Sequence, residues 1–317
     1  MKALLHERYG SPDHLRLAEV DRPKAGEGQV LVRVVAASVN AGDWRRVRAN
    51  PWLVRTAEGW RRPKNPLFGA DAAGVVVDVG PGVTELHVGD EVMGIRTGAF
   101  AEYVAGANFV PKPMNASFEQ AAAVPIAGVT ALQALRDHGA LQAGQRVLIN
   151  GAGGGVGSFA VQIARAMGAE VTAVTSSDNV EQLRALGAGR VIDYAREDAS
   201  KSGPYDLVVD IGGTPSIGRL RRALKPDGTL VLVAAAKGGV GVLGRIGAAF
   251  IRGRLLKQRV RFFLASVEKT DLLYLKELSE AGKLMPCIDR TYPLAETGKA
   301  LRYLEAGHAH GKVVITI

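Results

Sequence analysis

The feature that most constrains the fold of this chain is a glycine-rich turn between an apolar run and a helix-like run. Arg146–Asn150 has the composition of a buried strand, and Ser158–Met167 has the apolar spacing of a helix. Between them, residues 151–157 read GAGGGVG. A strand, a tight turn and a helix in this order leave the first N–H groups of the helix open to an anion.

The spacing of the turn is Ala152-x-Gly154-x-x-Gly157, which is a dinucleotide-binding fingerprint with alanine at its first position. Glycines allow the backbone to approach a pyrophosphate, whose charge the positive end of the helix dipole attracts. The sequence therefore predicts a dinucleotide site. The alternative is a glycine-rich turn that serves packing only.

The pattern of the chain changes near residue 146. Residues 1–120 alternate short β-rich runs with turn residues, which is typical of an all-β domain. Beyond 146, apolar strands alternate with helical stretches, which is the pattern of a parallel sheet with crossover helices. The last run, Lys312–Ile317, is again strand-like and indicates a return to the first domain. A chain of 317 residues also favours two cores.

The end of the predicted second strand bears on the choice of dinucleotide. An acidic side chain there usually binds the ribose 2′-hydroxyl of NAD, but this strand ends in Thr175, Ser176 and Ser177. Hydroxyl groups can donate to a 2′-phosphate that a carboxylate would repel, so the sequence favours NADPH. Asp178 is the counter-evidence, and a helix N-cap is its alternative role.

Metal ligands are scarce in the sequence. The only cysteine is Cys287, and of the histidines only His308 and His310 are close together. Zinc dehydrogenases hold their metal through thiolate and imidazole groups, often beside a second site of four cysteines. We therefore predict no metal site. Hydride can still enter a conjugated carbonyl compound, because hydrogen bonds stabilise the charge that develops on its oxygen.

The net charge of +9 is concentrated in two basic stretches, residues 45–64 and 244–261. Neither is accompanied by paired zinc ligands or by the aromatic and basic alternation of nucleic-acid readers, so we expect no nucleic-acid partner. Apolar residues alternate with Arg252, Arg254 and Lys257 in the second stretch. These stretches could contact a membrane surface, an anionic substrate or only solvent, and the sequence does not decide among the three.

Several observations favour a cytoplasmic location. The first ten residues, MKALLHERYG, lack the long apolar run of a secretory signal. One cysteine cannot form an internal disulfide, which fits a reducing compartment. The chain also has no run of about 18 apolar residues that could span a membrane.

Short motifs follow one another along nearly the whole chain. They read ASVNAGD at 37–43, GADAAG at 69–74, VGDEV at 88–92, AAAVP at 121–125, VIDY at 191–194, RFFLA at 261–265 and GHAHGKVV at 307–314. In this order they resemble the zinc-independent quinone oxidoreductase branch of the medium-chain dehydrogenase/reductase superfamily, which includes the mitochondrial reticulon-interacting oxidoreductase and bacterial NADPH:quinone reductase-like proteins. Zinc-bearing members place a His-Glu pair where this chain has Ala70-Asp71.

The resemblance implies roles for single residues. Asn40 would be the catalytic residue, beside the nicotinamide and the substrate. The implied contacts to the cofactor are Thr130 at the carboxamide, Gly153, Gly154, Gly155 and Val156 at the pyrophosphate, Ser176 and Tyr194 at the 2′-phosphate, and Phe263, His308, Ala309 and His310 at the nicotinamide half. Structural alternatives are a turn residue for Asn40, a helix-start cap for Thr130, a half-buried core aromatic for Tyr194 and plain core for Phe263. Relatives often carry a lysine near position 178.

The implied fold is α/β, with a GroES-like β-rich catalytic domain (1–122 and 288–317) and a Rossmann doubly wound parallel-sheet domain (123–287) that binds NADPH. The expected reaction is a zinc-free hydride transfer from NADPH to a quinone or another conjugated carbonyl compound. Reduction of an enone, 2-alkenal or enoyl thioester is the alternative, because it shares every motif. A sensor or scaffold that binds NADPH without turnover is an alternative of another class. The partner is a small-molecule substrate, and a weak membrane-surface contact and a homodimer are left open.

Overall fold

A computed structural model describes residues 1–52, 54–213, 216–233, 257–307 and 309–317. The chain divides into two compact units. Unit 1 comprises Met1–Val129 and Val267–Ile317, and unit 2 comprises Thr130–Ser266. The domain limits implied by the resemblance, 122/123 and 287/288, stay a prediction.

The described residues form strands and helices that we number along the chain. The strands are β1 (Lys2–Leu5), β2 (Arg16–Glu19), β3 (Val30–Val39), β4 (Asp71–Val79), β5 (Glu91–Ile95), β6 (Tyr103–Gly106), β7 (Phe109–Pro111), β8 (Arg146–Asn150), β9 (Glu170–Thr175), β10 (Arg190–Asp193), β11 (Tyr205–Asp210), β12 (Leu224–Val233), β13 (Arg259–Phe263), β14 (Ile288–Pro293) and β15 (Lys312–Thr316). The helices are α1 (Ala41–Arg48), α2 (Val54–Glu58), α3 (Phe118–Ala123), α4 (Pro125–Gln133), α5 (Gly155–Ala166), α6 (Val180–Ala185), α7 (Ile217–Arg222), α8 (Lys269–Glu280) and α9 (Thr297–Ala306).

Unit 2 is built on a six-stranded sheet in the order β10-β9-β8-β11-β12-β13. Every neighbouring pair is parallel, so the predicted parallel sheet is confirmed. The order reverses between β8 and β11, as in doubly wound dinucleotide-binding sheets. Strands of such a sheet are covered on both faces, which explains why β8 and β11 are apolar runs with buried cores such as Leu148 and Val208.

Unit 1 is built on a seven-stranded sheet in the order β14-β15-β3-β4-β5-β7, with β6 also paired to β3. The pair β14 and β15 is parallel, and the others are antiparallel. The C-terminal run therefore returns to this unit as expected. In the register, Val39 lies opposite Val313 and Ser38 lies opposite Asp71. The start of β15, the end of β3 and the start of β4 thus meet at one place.

Among the residues that the structure describes, no helix combines the length and the apolar character that a membrane span requires.

His6 is a titratable group in the core of unit 1. Its side chain is fully buried, with its ring 5.5 Å from that of Tyr9 and 5.8 Å from that of Phe68, measured between centroids. Burial, assisted by the nearby Arg46 charge, lowers the pKa of His6 from 6.5 to about 4. Between pH 6.5 and about 4, the imidazole of His6 is therefore neutral in the folded protein and protonated in the unfolded chain.

We predict that His6→Leu reduces the loss of stability on acidification. Between pH 6.5 and about 4 the unfolded chain binds a proton at His6 that the folded protein rejects, so the free energy of unfolding falls as pH falls. From pH 7.5 to pH 5, the wild type should lose about 2 kcal/mol more than the variant. Urea unfolding of both proteins at the two pH values measures the difference, and equal losses would contradict the prediction.

Candidate active site and dinucleotide site

The glycine turn of unit 2 starts α5 without a side-chain cap. Gly154 occupies the N-cap position and, as glycine, makes no side-chain cap hydrogen bond. The turn follows β8 directly, beside the reversal of strand order. Gly151 has a φ of +83°, and a Cβ there would lie 2.6 Å from the backbone nitrogen of Gly212, so this position requires glycine.

Two further glycines of the turn pack closely against their surroundings. A Cβ on Gly157 would lie 2.3 Å from the carbonyl oxygen of Gly151. A Cβ on Gly153 would lie 2.6 Å from Oγ1 of Thr175 and 2.7 Å from the side-chain amide of Asn179. Close packing alone is enough to explain why residue 157 is a glycine. The start of α5, which comprises Gly154, Gly155 and Val156, has no side-chain cap, and its contact with a pyrophosphate stays a prediction.

Asn150 and Asp210 form a buried pair that the sequence analysis missed. They end β8 and β11, the two strands on either side of the reversal. Nδ2 of Asn150 donates to Oδ1 of Asp210 at 2.7 Å, and the N–H of Gly213 donates to the same oxygen at 3.0 Å. In open α/β sheets ligands bind outside the carboxyl ends of the strands at this point. A polar residue that ends an apolar strand was the available signal.

Ser176 and Tyr194 follow neighbouring strands at one edge of this sheet. Ser176 comes directly after β9 and Tyr194 directly after β10, and the N–H of Tyr194 donates to the carbonyl of Thr175 at 3.1 Å. Oγ of Ser176 accepts from Nδ2 of Asn179 at 3.2 Å and keeps its own proton for another acceptor. The side chain of Tyr194 is 65% exposed, so it is not a half-buried core aromatic.

Two structural alternatives from the sequence analysis are wrong. Thr130 lies inside α4, which begins at Pro125, and is therefore not a helix-start cap. Asp178 is exposed in the 3-10 turn Ser177–Asn179. Ser176 is the N-cap residue of this turn, and Asn179 is the N-cap residue of α6. The carboxylate of Asp178 therefore has no N-cap role, so capping does not explain it.

Phe263 ends β13 and is buried. Its ring stacks on that of His138 in the π-helical segment Ala134–His138, with 4.1 Å between centroids. This is the packing that the core alternative predicts, and a contact between Phe263 and the cofactor stays a prediction.

Unit 1 contains a buried polar network around Asp71. Its Oδ2 accepts hydrogen bonds from Oγ of Ser38 at 2.8 Å and from Nδ2 of Asn40 at 2.9 Å, and its Oδ1 accepts from the N–H of Ile126 at 3.0 Å. Nζ of Lys312 lies 3.5 Å from the same Oδ2 and donates to Oδ1 of Asn40 at 2.7 Å. The Asn40 side chain is thus held between an ammonium and a carboxylate.

The charged groups of this network are removed from water. Asp71 is fully buried, Lys312 is 3% exposed and Asp43 is 8% exposed. Burial lowers the pKa of Lys312, although the carboxylates of Asp71 and Asp43 favour its charged form. Burial raises the pKa of Asp43 to about 7, although Oδ2 of Asp43 accepts from the backbone N–H of Asn40 at 2.7 Å.

Asn40 combines a helix-start position with a place in the buried network. It precedes α1 as its N-cap residue, which agrees with the turn alternative for its backbone. Its side chain joins Asp71 and Lys312, and the sequence analysis assigned neither of these residues a contact with Asn40. The signal was a charged residue at the edge of an otherwise apolar strand: Asp71 opens β4 and Lys312 opens β15.

The remaining implied site residues precede β15. Ala309 packs against the core of unit 1, and the N–H of His310 donates to Oδ2 of Asp289 at 2.9 Å. His308 lies outside the described residues. The contact of His308, Ala309 and His310 with the nicotinamide half of the cofactor stays a prediction.

The structure describes nearly all of the first basic stretch, residues 45–64, but only the end of the second, residues 244–261. In the first, Arg46 donates to the carbonyl of Asn65 at 3.1 Å and Arg48 pairs with Glu305 at 2.8 Å, so these two cations stabilise unit 1 itself. Most of the second stretch, including Arg252 and Arg254, lies outside the described residues.

The described residues also offer few metal ligands. Within the ranges that the structure covers, no group of three or more His, Cys, Asp or Glu side chains could hold a metal ion. At the Ala70-Asp71 position, Asp71 has both oxygens occupied by hydrogen-bond donors and an ammonium beside it.

Two protein families match parts of the chain. The family described as "Alcohol dehydrogenase GroES-like domain" matches residues 26–114, and the family described as "Zinc-binding dehydrogenase" matches residues 186–315. The absence of a zinc site in this chain stays a prediction from its sequence.

Similar proteins cover the whole chain. The NAD(P)H oxidoreductase RTN4IP1, mitochondrial, of Bos taurus is 34% identical over 100% of this chain and 89% of its own length. The NADPH-dependent alkenal/one oxidoreductase, chloroplastic, of Arabidopsis thaliana is 32% identical over 99% of this chain and 79% of its own length. The solved structure of the quinone oxidoreductase from Coxiella burnetii has a TM-score of 0.88 at 33% identity, over 100% of this chain and 99% of that one. The chain belongs to the medium-chain dehydrogenase/reductase superfamily.

Proposed function

We propose that the protein transfers hydride from NADPH to a quinone or another conjugated carbonyl compound, and that it does so without zinc. The observation that carries the proposal is the uncapped, glycine-bounded start of α5 at the strand reversal of unit 2. The names of the bovine, Arabidopsis and Coxiella proteins support the same class of reaction. NADPH would supply the hydride, so the residues of the chain need only bind, orient and stabilise charge.

The residues of unit 2 fit a phosphorylated dinucleotide. The N–H groups at the start of α5 suit the pyrophosphate, because the helix dipole adds positive charge there. Ser176 and Tyr194 have hydroxyl groups at one edge of the sheet, where they suit a 2′-phosphate. Thr130, Phe263, Ala309 and His310 are proposed on the resemblance alone.

The residues of unit 1 fit the reacting end. A carbonyl oxygen gains negative charge as hydride arrives, and a hydrogen-bond donor that is already oriented stabilises this charge at little cost. Asn40 has such a donor in Nδ2. The zinc-free proposal rests on the ligands, since Ala70 cannot bind a metal and Asp71 is occupied by Ser38, Asn40 and Lys312.

Quinones and enones are both conjugated carbonyl compounds, and nothing in the described residues separates them. The name of the Arabidopsis relative favours an alkenal or enone acceptor as the second candidate. A cytoplasmic location, a weak membrane contact and a homodimer stay predictions from the sequence.

NADPH oxidation against a panel of quinones, 2-enones, 2-alkenals and enoyl thioesters tests the proposal. We expect turnover with at least one acceptor, and we expect the rate to survive exhaustive chelation because the donor set does not fit zinc. Flat traces with every acceptor would favour a sensor or scaffold. Activity that returns only with added zinc would contradict the zinc-free part.

We predict that NADPH binds at least about tenfold more tightly than NADH, which corresponds to roughly 1.4 kcal/mol. The reason is that the hydroxyl groups of Ser176 and Tyr194 can donate to the 2′-phosphate. Ser176→Ala and Tyr194→Phe should each weaken NADPH more than NADH. Tyr274→Phe, at an exposed tyrosine of α8, is the matched control. Equal affinities for the two dinucleotides in a titration would remove the preference.

We also predict that Gly153→Ala weakens NADPH binding at least about tenfold, or roughly 1.4 kcal/mol. The new methyl group would lie 2.6 Å from Oγ1 of Thr175 and would displace either the turn or Asn179. Gly218→Ala in α7 is the matched control, because a Cβ there meets nothing within 4 Å. Unchanged affinity in a fluorescence titration of Gly153→Ala would show that the turn does not hold the cofactor.

A further inference from the structure

The buried network of unit 1 reaches its surface through Asn40. Ser38 and Asp71 are fully buried, and Asp43 and Lys312 are at most 8% exposed, whereas Asn40 is half-buried. Any group that the network acts on from outside would therefore be met by the Asn40 amide.

The neighbours of this amide allow only one orientation. A side-chain amide can rotate by half a turn, which exchanges its oxygen and its nitrogen. As it stands, Nδ2 donates to the Asp71 carboxylate at 2.9 Å and Oδ1 accepts from the Lys312 ammonium at 2.7 Å. The rotated amide would place its N–H groups against the ammonium and its oxygen against the carboxylate, so both contacts would become repulsive.

The orientation also determines what Asn40 offers to a ligand. Nδ2 carries two hydrogens, and Asp71 accepts one of them. The second hydrogen can serve an acceptor outside the network. With the amide rotated, the outward atom would be an oxygen, which repels a developing oxyanion.

We propose that Lys312 is a positioning residue, whose hydrogen bond to Oδ1 keeps Asn40 turned so that its second Nδ2 hydrogen meets the carbonyl oxygen of the acceptor. This inference rests on the proposed function. Lys312 itself touches neither acceptor nor cofactor in this role, and it acts only through Asn40.

The test is a double-mutant cycle. Lys312→Met removes the donor and keeps an unbranched side chain, and it is made in the wild type and in Asn40→Ala. We expect Lys312→Met to lower kcat for the preferred acceptor at least about tenfold in the wild type and less than about twofold in Asn40→Ala, because a residue that acts through Asn40 has no effect without it. The NADPH Kd should stay within about twofold throughout.

Lys112 provides the matched control. Its side chain is 8% exposed, and its Nζ donates to the carbonyls of Pro113 and Ala116 in the same unit. Lys112→Met should leave kcat within about twofold of the wild type. An equal loss in Lys112→Met and Lys312→Met would mean that the loss follows from removing any buried lysine, and would overturn the proposal.

Lys312→Gln separates the hydrogen bond from the charge. Its amide can still donate to Oδ1 of Asn40, so it should recover most of the kcat that Lys312→Met loses. If Lys312→Met does not fold, Lys312→Gln takes its place in the cycle, with a smaller loss of about threefold that should again vanish in Asn40→Ala.

A second readout needs neither cofactor nor acceptor. In urea unfolding, replacing Lys312 should shift the midpoint less in Asn40→Ala than in the wild type, because the contact is already lost. The proposal would be overturned if replacing Lys312 shifted the midpoint equally in the wild type and in Asn40→Ala. It would also be overturned if the replacement lowered kcat by the same factor in both. Failure of the proposed function would appear separately, as a wild type that oxidises NADPH with no acceptor of the panel.

Discussion

The ion pair between Lys312 and Asp71 is the interaction on which the polar end of unit 1 depends. Removing two charges from water is costly, and the cost is offset only when each charge also has hydrogen bonds. Asp71 has donors from β3 and α4, and Lys312 donates to Asn40 and to the carbonyl of Val39 at 3.3 Å. Loss of one partner from such a pair typically destabilises a protein by about 3–5 kcal/mol. The pair therefore holds β3, β4, β15 and the start of α4 in one arrangement.

The fold was largely predictable where its signals are local. The apolar runs of β8 and β11 predicted a parallel sheet, because strands covered on both faces have few polar residues. The glycine turn predicted the start of α5 for steric reasons that the structure confirms at Gly151 and Gly157. The strand order of unit 1 was not predictable in the same way. It depends on pairings between distant segments, such as Val39 with Val313, which leave no periodic pattern in the sequence.

The candidate site was predictable only in part, for the same reason. The resemblance implied a role for Asn40 but did not connect it to the two residues that hydrogen-bond its side chain, which lie 31 and 272 positions away along the chain. Thr130 and Asp178 show the opposite error, since the cap that residue type offered as their structural alternative is absent and the helices begin elsewhere. Asn150 and Asp210 became meaningful only once β8 and β11 were known to be neighbours. Residue type indicates what chemistry is available, and strand pairing determines which groups meet.

The position of β15 in the chain has a consequence for biosynthesis. Unit 2 is one continuous segment, whereas unit 1 needs its first 129 residues and its last strand, which the ribosome makes only after all of unit 2. Until Lys312 emerges, the Asp71 carboxylate has no ammonium beside it, and β3 has an unpaired edge where β15 will bind. The nascent chain can therefore complete unit 2 before the last segment of unit 1 has been synthesised. An exposed strand edge can pair with other chains, so the edge of β3 is open to aggregation during this interval.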